Sequence, residues 1–597
     1  APAASGTPPV TTSPWCSDPT HPAEVGMYGD MGSAAGLVGV ENDLPKDGDV
    51  AALFTQGVAH MFGFNLVEAL RNFETAAALA PECALCHWGV AASFSPNINY
   101  AIENQTRLNT AATRALVLAD AQRESLSNKT HRLIRAFSEL VAPADNQDAP
   151  DSPFRKAWSD ALCEEANTST TATTATTTDP DIDALCASSL MALSPWNYYQ
   201  RFSSWPDNVP LKPFLLPAKS KLLGAVHRGV GGGPHVFAIH LLIHLLEPSN
   251  APEGYRWEAL APTELLFGGG GGGGGGGELV PAQGHLTHMP AHLFLRTGKY
   301  NDAVAASAVS TDDDNARYAS KCLHPYAHGH NLKMYVANAR LAGRMRDAIA
   351  HARQAILPEA GEEPTPNGGK TCVDCAGTGS PEVVLTLARF GQWRAVLQET
   401  VPASWGVTDL AGYNEAAFRY ARAAAYWGLS DAGANKTLVA LGDAEAALCE
   451  KAAPRAASAA QTFNYSVILP EQLRAARAMH GGERDVAAAI AHLRNVQAAD
   501  DANMYLEPPR VWYPPRECLG ALLLAANATK AALRVFEEDL AQFVESPWSL
   551  FGAAQAAKAL GMGDMAKNFT ERGETAWSAA DGKFVSACPE LLSVCLR

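Results

Sequence analysis

Positive charge is in short supply in this 597-residue chain: Lys and Arg total 46 against 62 Asp and Glu, a net charge of −16. No compact basic stripe offsets that excess, so binding to a nucleic-acid phosphate backbone or an anionic lipid surface is disfavoured. Long apolar runs are missing too. The most apolar stretch, Ala238 to Leu246, is broken by His240 and His244, and nothing approaches the run of about 18 residues that a membrane span requires. Apolar alternation of period two is scarce, which leaves little room for sheet; alanine-rich segments of helical period stand in its place. A Gly-x-Ser-x-Gly elbow, a phosphate-cradling Gly-x-x-x-x-Gly-Lys loop and a His-Glu-x-x-His zinc helix are all absent. Paired glycosidase carboxylates meet only in space and leave no spacing signature, and no pair of acids is singled out.

Cysteine, by contrast, is present in an even number: twelve, from Cys16 to Cys595. That count suits disulfides in an oxidising compartment, with free cytosolic thiols as the alternative. The first residues, APAASGTPPVTTSP, are uncharged and rich in Pro, Thr and Ala, as expected just after a removed signal peptide. Seven asparagines stand in Asn-x-Ser/Thr sequons: Asn104, Asn128, Asn167, Asn435, Asn464, Asn527 and Asn568. These features together predict a secreted, extracellular glycoprotein. The competing explanation is surface helices that happen to be rich in Asn and Thr.

From Leu53 to Pro81 the chain fits a helix-turn-helix unit of about 34 residues, with Gly57, Ala69, Phe73, Ala76 and Pro81 at its signature positions. This is the tetratricopeptide pattern. A second signature recurs, a turn residue followed five positions later by a small or apolar one: Gly298/Ala303, Gly343/Ala348, Gly391/Val396, Gly481/Val486, Asn527/Ala532 and Gly561/Ala566. Gly or Asn ends the first helix in a left-handed conformation, and the small residue lets the second pack closely. The expected fold is all-α, a tetratricopeptide-repeat helical-hairpin solenoid forming a right-handed superhelix in which each repeat packs on its neighbours. The expected boundaries are a non-repeat arm at 1–49, a first helical block at 50–360, a Cys/Gly/Pro connector at 361–381 and a second block at 382–597. The Thr-rich run 167–180 reads as a loop or an O-glycosylated segment, with Cys163 and Cys186 placed to staple its ends. The polyglycine run 268–277 reads as a linker.

Several segments resemble a widespread, largely uncharacterised family of tetratricopeptide-repeat proteins, mostly bacterial. They include PECALCHWGVAASFSPNIN (Pro81 to Asn99), LMALSPWNYY around Trp196, AIHLLIHLLE (Ala238 to Glu247), GHLTHMPAHLFLRTGKYNDAV (Gly284 to Val304), HGHNL (His328 to Leu332), WYPPRECLGALLL and SPWSLFGAAQA. The resemblance covers about residues 50 to 580 and implies a right-handed stack of helical hairpins, without implying a reaction. Cys83-Ala84-Leu85-Cys86-His87 spells a covalent haem attachment motif. The relatives carry an aromatic residue where His87 stands, which argues against haem. A local Cys83–Cys86 disulfide, matched by Cys372–Cys375, is the favoured reading.

Histidines carry the clearest chemical signal. His240 and His244 are four residues apart, as are His288 and His292, so each pair projects from one helical face. With His330 they make a candidate zinc or copper site. His285 joins if its helix extends that far, and His328 lies close by. Pro290 is expected to start the second helix and leave His288 outside it. Lys333 stands where the family pattern offers another His, which opposes a metal there. The alternative is a buried seam of hydrogen-bonded imidazoles between helices. Trp196, Tyr198, Tyr199, Phe202 and Trp205 form an aromatic group that suits either a sugar or peptide platform or, the favoured reading, core packing.

The leading functional expectation is a secreted, glycosylated structural or interaction protein whose partner is another copy of itself, stacked head to tail into a fibre, or another protein. In that reading the N-terminal arm lies on the neighbouring copy. The rivals are a histidine-ligated metal-dependent enzyme or metal-handling protein, and a peptide-binding receptor.

Overall fold

The computed structural model describes residue 23, residues 36–581 with short gaps, and residue 588. Outside the described residues lie 1–22, 24–35, 147, 169–178, 201–208, 250–254, 269–278, 281–282, 322–324, 358–362, 365–369, 372–376, 378, 406–410, 431–433, 457–464, 481–483, 504, 510–512, 582–587 and 589–597. The polyglycine run after Gly268, most of the Thr-rich run, the pair Cys372 and Cys375, and the sequon residue Asn464 therefore fall outside it.

Among the described residues the chain forms 24 α-helices. In order they are α1 (Gly48–Phe62), α2 (Leu66–Leu79), α3 (Ala84–Ala92), α4 (Gln105–Ala121), α5 (Asn128–Ser138), α6 (Pro153–Thr168), α7 (Pro180–Ala192) and α8 (Leu216–Arg228). Next come α9 (Val236–Leu246), α10 (Leu260–Phe267), α11 (Gly284–Arg296), α12 (Tyr300–Lys321), α13 (His328–Leu341), α14 (Met345–Ala355), α15 (Glu382–Arg389) and α16 (Trp393–Gln398). The last eight are α17 (Ala411–Gly428), α18 (Lys436–Ala456), α19 (Tyr465–His480), α20 (Val486–Asp501), α21 (Pro515–Ala525), α22 (Thr529–Gln542), α23 (Pro547–Ala559) and α24 (Gly563–Ala576). A two-residue antiparallel ladder, Glu363–Pro364 with Lys370–Thr371, lies between α14 and α15.

Consecutive helices pair as antiparallel hairpins, and first helices of successive hairpins also touch, as α1 with α3, α11 with α13 and α21 with α23 do. This is the packing of a helical-hairpin solenoid. Turn residues behave as their chemistry requires: Gly298, Gly343, Gly391, Asn527 and Gly561 all have positive φ between the helices they join, a conformation that costs Gly least and Asn little. Gly481 lies outside the described residues. Gly57 of α1, a signature position, and Gly89 of α3 have a specific use. A Cβ on Gly57 would stand 2.6 Å from Phe73 and one on Gly89 2.3 Å from the same ring, so Phe73 of α2 is clasped between two bare backbones. Gly520 and Gly552 clasp Phe536 of α22 in the same way, at 2.6 and 2.4 Å.

Two large cores result, one running from Ala23 to Ala327 and the other from Val336 to Cys588. They are not joined by neighbours alone. A smaller core brings Leu295 and Tyr300 against Phe543. The Tyr300 hydroxyl donates to the Val544 carbonyl (2.7 Å), Trp548 Nε1 to Arg340 O (3.2 Å) and Trp577 Nε1 to Leu341 O (3.3 Å). The stack thus curls until the turns of hairpins α11/α12 and α13/α14 meet α22 to α24. The expectation that repeats contact only their neighbours is corrected here, because aromatic side chains on the late helices cover the early turns.

The described part of the N-terminal arm packs on its own chain rather than presenting a free surface. Leu37, Val40 and Leu44 are buried in the first core, the Val38 N–H donates to Asp181 Oδ2 (3.0 Å), and Asp43 accepts from the Ser127 N–H (2.9 Å). Disulfides join Cys83 to Cys86, Cys163 to Cys186, and Cys518 to Cys588, the last closing 70 residues. Cys449 is a buried free thiol. With both sulfurs of the haem-like motif bonded to each other, His87 turns its Nε2 to the Pro81 carbonyl (3.0 Å).

Candidate metal centre

The centre is assembled on α9, α11 and α13. His235 caps α9: its Nδ1 accepts from the Ala238 N–H (3.3 Å) while its Nε2 faces Asp181 Oδ1 (3.1 Å). That anchor fixes the rotation of α9, whose eleven residues are all buried. His240, His244 and Glu247, spaced four and three apart, then share one face. On α11 the mirrored spacing, three and four, aligns His285, His288 and His292. The helix runs unbroken through Pro290, which corrects the expectation that Pro290 begins it. Proline removes one backbone bond to the Leu286 carbonyl, and burial of all thirteen α11 residues offsets that loss. His330 arrives from the first turn of α13.

Two sets of three imidazoles converge, His240/His244/His285 and His288/His292/His330, with the ring nitrogens of each set within 4.8 Å of one another. In the second set His292 Nε2 is hydrogen-bonded to His288 Nε2 (2.5 Å) and to His330 Nε2 (3.3 Å), which gathers the three Nε2 atoms together. In the first set His240 turns Nδ1 to the Phe62 carbonyl (2.7 Å), which leaves its Nε2 for the interior. Phe64, at a φ of 59°, packs on His240 with ring centres 4.4 Å apart, and Tyr326 meets His285 edge-on at 4.8 Å. Trp196 closes the wall against His244 at 5.2 Å.

Two acids that the sequence reading did not select stand behind the rings. Glu247 reaches His244 Nδ1 (3.3 Å) and His292 Nδ1 (3.2 Å), while Glu507 reaches His292 Nδ1 at 2.8 Å. The Tyr505 hydroxyl donates to Glu247 Oε2 (2.8 Å). Carboxylates on Nδ1 with Nε2 turned inward are the outer shell that orients metal-ligating histidines. Glu247 had a readable signal, the His-x-x-x-His-x-x-Glu spacing on one helix. Glu507 had none, being 260 residues from Glu247 in an irregular segment.

Charge follows from this arrangement. Burial first, and repulsion among the rings second, hold His240, His285 and His288 well below the ordinary imidazole range, and burial lowers His244. His292 is pushed up to about 10, because Glu507 and Glu247 outweigh its burial. Glu247 stays ionised, as His292 and its hydrogen bonds overcome burial; burial and the Glu247 charge raise Glu507. Neutral imidazole is the form that ligates a metal, so burial prepares His240, His244, His285 and His288, whereas His292 would release its proton on taking an ion.

Part of the ring cluster is hydrogen-bonded, His292 to His288 and to His330, His240 to the Phe62 carbonyl and His244 to Glu247, and part of it is not. His240 Nε2, His244 Nε2, His288 Nδ1 and both nitrogens of His285 are buried without a hydrogen-bond partner. Each such atom costs about 1–3 kcal/mol if nothing meets it. The other sequence candidates are placed elsewhere. Tyr198 and Tyr199 are core residues and Trp196 is partly buried with Nε1 on Asn99 Oδ1 (2.9 Å), so these three form no open platform; Phe202 and Trp205 lie outside the described residues. Among the sequons, Asn128, Asn435, Asn527 and Asn568 are exposed and Asn104 is half-buried. Asn104 and Asn435 accept from the Arg107 N–H (3.0 Å) and Leu438 N–H (3.2 Å) as helix N-caps.

No protein-family model and no curated protein matches the chain. Solved structures similar to it include the APC/C hetero-tetramer Cut9-Hcn1, at 10% identity over 91% of this chain and 96% of that one, with a TM-score of 0.26. Another is the human IFIT1 dimer with m7Gppp-AAAA, at 12% identity over 94% and 96% with a TM-score of 0.28. The hairpin packing described above carries the fold assignment: this is a helical-repeat protein of tetratricopeptide type, an architecture that offers surfaces for protein partners.

Proposed function

We propose that the chain is a metal-holding helical-repeat protein, with ions held by His240, His244 and His285 and by His288, His292 and His330. The buried, unpartnered ring nitrogens carry this reading. Zinc and copper suit an all-imidazole donor set. Metal analysis of full-length protein purified without chelators tests it: at least about one ion per chain is expected. Protein that holds less than about a tenth of an ion, and takes up none when Zn(II) or Cu(II) is added, would overturn it. An extracellular, glycosylated state belongs to the same proposal, supported, among the described residues, by three disulfides and four exposed sequon asparagines. Peptide mapping that finds every sequon bare in native protein would remove that part.

Self-assembly is a second reading, favoured by a groove of about 440 Å³ between α23 and α24, lined by Phe551, Ala554, Gln555 and Ala566. A helix of another copy would continue the stack there. Light scattering decides: a monomer throughout the micromolar range rejects it.

A further inference from the structure

The two histidine sets abut. Rings across their boundary stand only a little farther apart than most rings within the sets: His244 to His292 is 5.7 Å and His285 to His288 is 5.8 Å, against 4.4 to 6.2 Å inside the two sets. Glu247 touches one ring of each set at nearly equal distance, 3.3 and 3.2 Å. An ion stands about 2 Å from its imidazole nitrogens, so ions in adjoining sets come toward the separation of roughly 3.5–4 Å seen in two-metal sites.

We infer that the six imidazoles house one dinuclear centre, two transition-metal ions sharing a small bridging oxygen anion, rather than two independent mononuclear sites. This rests on the metal-holding reading above. Charge supports the bridge. Two divalent cations face two carboxylates, Glu247 and Glu507, within a shell of Phe64, Tyr326 and Trp196. The surplus positive charge in that water-poor setting calls for an anion, and hydroxide is the smallest available.

Copper(II) is the probe, because its unpaired electron reports a neighbour. The full-length protein is stripped with chelator, reloaded with Cu(II), and measured for bound copper and for integrated electron paramagnetic resonance intensity. About two ions per chain are expected, with the intensity accounting for less than about one-fifth of the copper because bridged spins couple. His330→Ala should leave about one ion with its full signal. Two ions with two full spins would overturn the inference while leaving metal binding intact, as would saturation at one ion in the unaltered chain. No uptake at all would sink the inference and the reading beneath it together. Should His330→Ala fail to fold, the spin count on the unaltered chain still decides.

Discussion

At the scale of single residues, burial sets the chemistry. The Cys449 thiol is pushed up to about 12, chiefly by burial and then by the neighbouring Glu450. Its alkylation in native protein at pH 8 should run at least ~1,000-fold slower than that of an exposed thiol, which peptide mass mapping can time. Asp181 moves the other way: burial opposes its charge, but the His235 hydrogen bond and Lys129 hold the carboxyl below its ordinary value. A folded value below the unfolded one contributes stability that is present above about pH 4 and is lost as pH falls through the lower folded value. Asp181→Asn should therefore cost about 3 kcal/mol at neutral pH and flatten the acid limb of a Tm-against-pH curve. Legibility at this scale was uneven. The i, i+4 histidines announced themselves by spacing. Pro290 misled, because a proline reads as a helix start unless the surrounding burial is known, and burial is a tertiary property.

Elements were the most readable level. A glycine or asparagine at a turn and a small residue five positions on are local requirements of a helix hairpin, so Gly298, Gly343, Gly391, Asn527 and Gly561 revealed their turns without tertiary information. The use made of Gly57 was only half visible: the pattern placed it where helices approach, and the structure adds that it presses on Phe73 together with Gly89, which the pattern did not mark. Gly57→Ala and Gly89→Ala should each destabilise by about 1–3 kcal/mol through overpacking. Gly48→Ala, where a Cβ meets nothing within 4 Å, should not. Denaturant unfolding measures all three. Phe73→Leu should recover part of the Gly57→Ala loss, and a double-mutant cycle giving no coupling would contradict the clasp.

For the whole molecule, sequence said least, because its contacts join residues hundreds of positions apart. Nothing local marks Glu507 as a neighbour of His292 or Cys588 as the partner of Cys518. The Cys518–Cys588 bridge ties α21 to the chain beyond α24 across 70 residues. By loop entropy alone its removal in a Cys518→Ser, Cys588→Ser variant should cost up to about 4 kcal/mol, read as a lower midpoint in guanidinium.

The curl that seats Val544, Trp548 and Trp577 on the early turns also has a mechanical meaning. An open stack of hairpins is a spring: drawn out by its ends, it peels one repeat at a time and gives a sawtooth of small, even rips. A stack stitched across its own coil behaves as a buckle. Force reaches the stitches before it reaches most of the hairpins, so extension in an optical trap should stay stiff, then release in one large step.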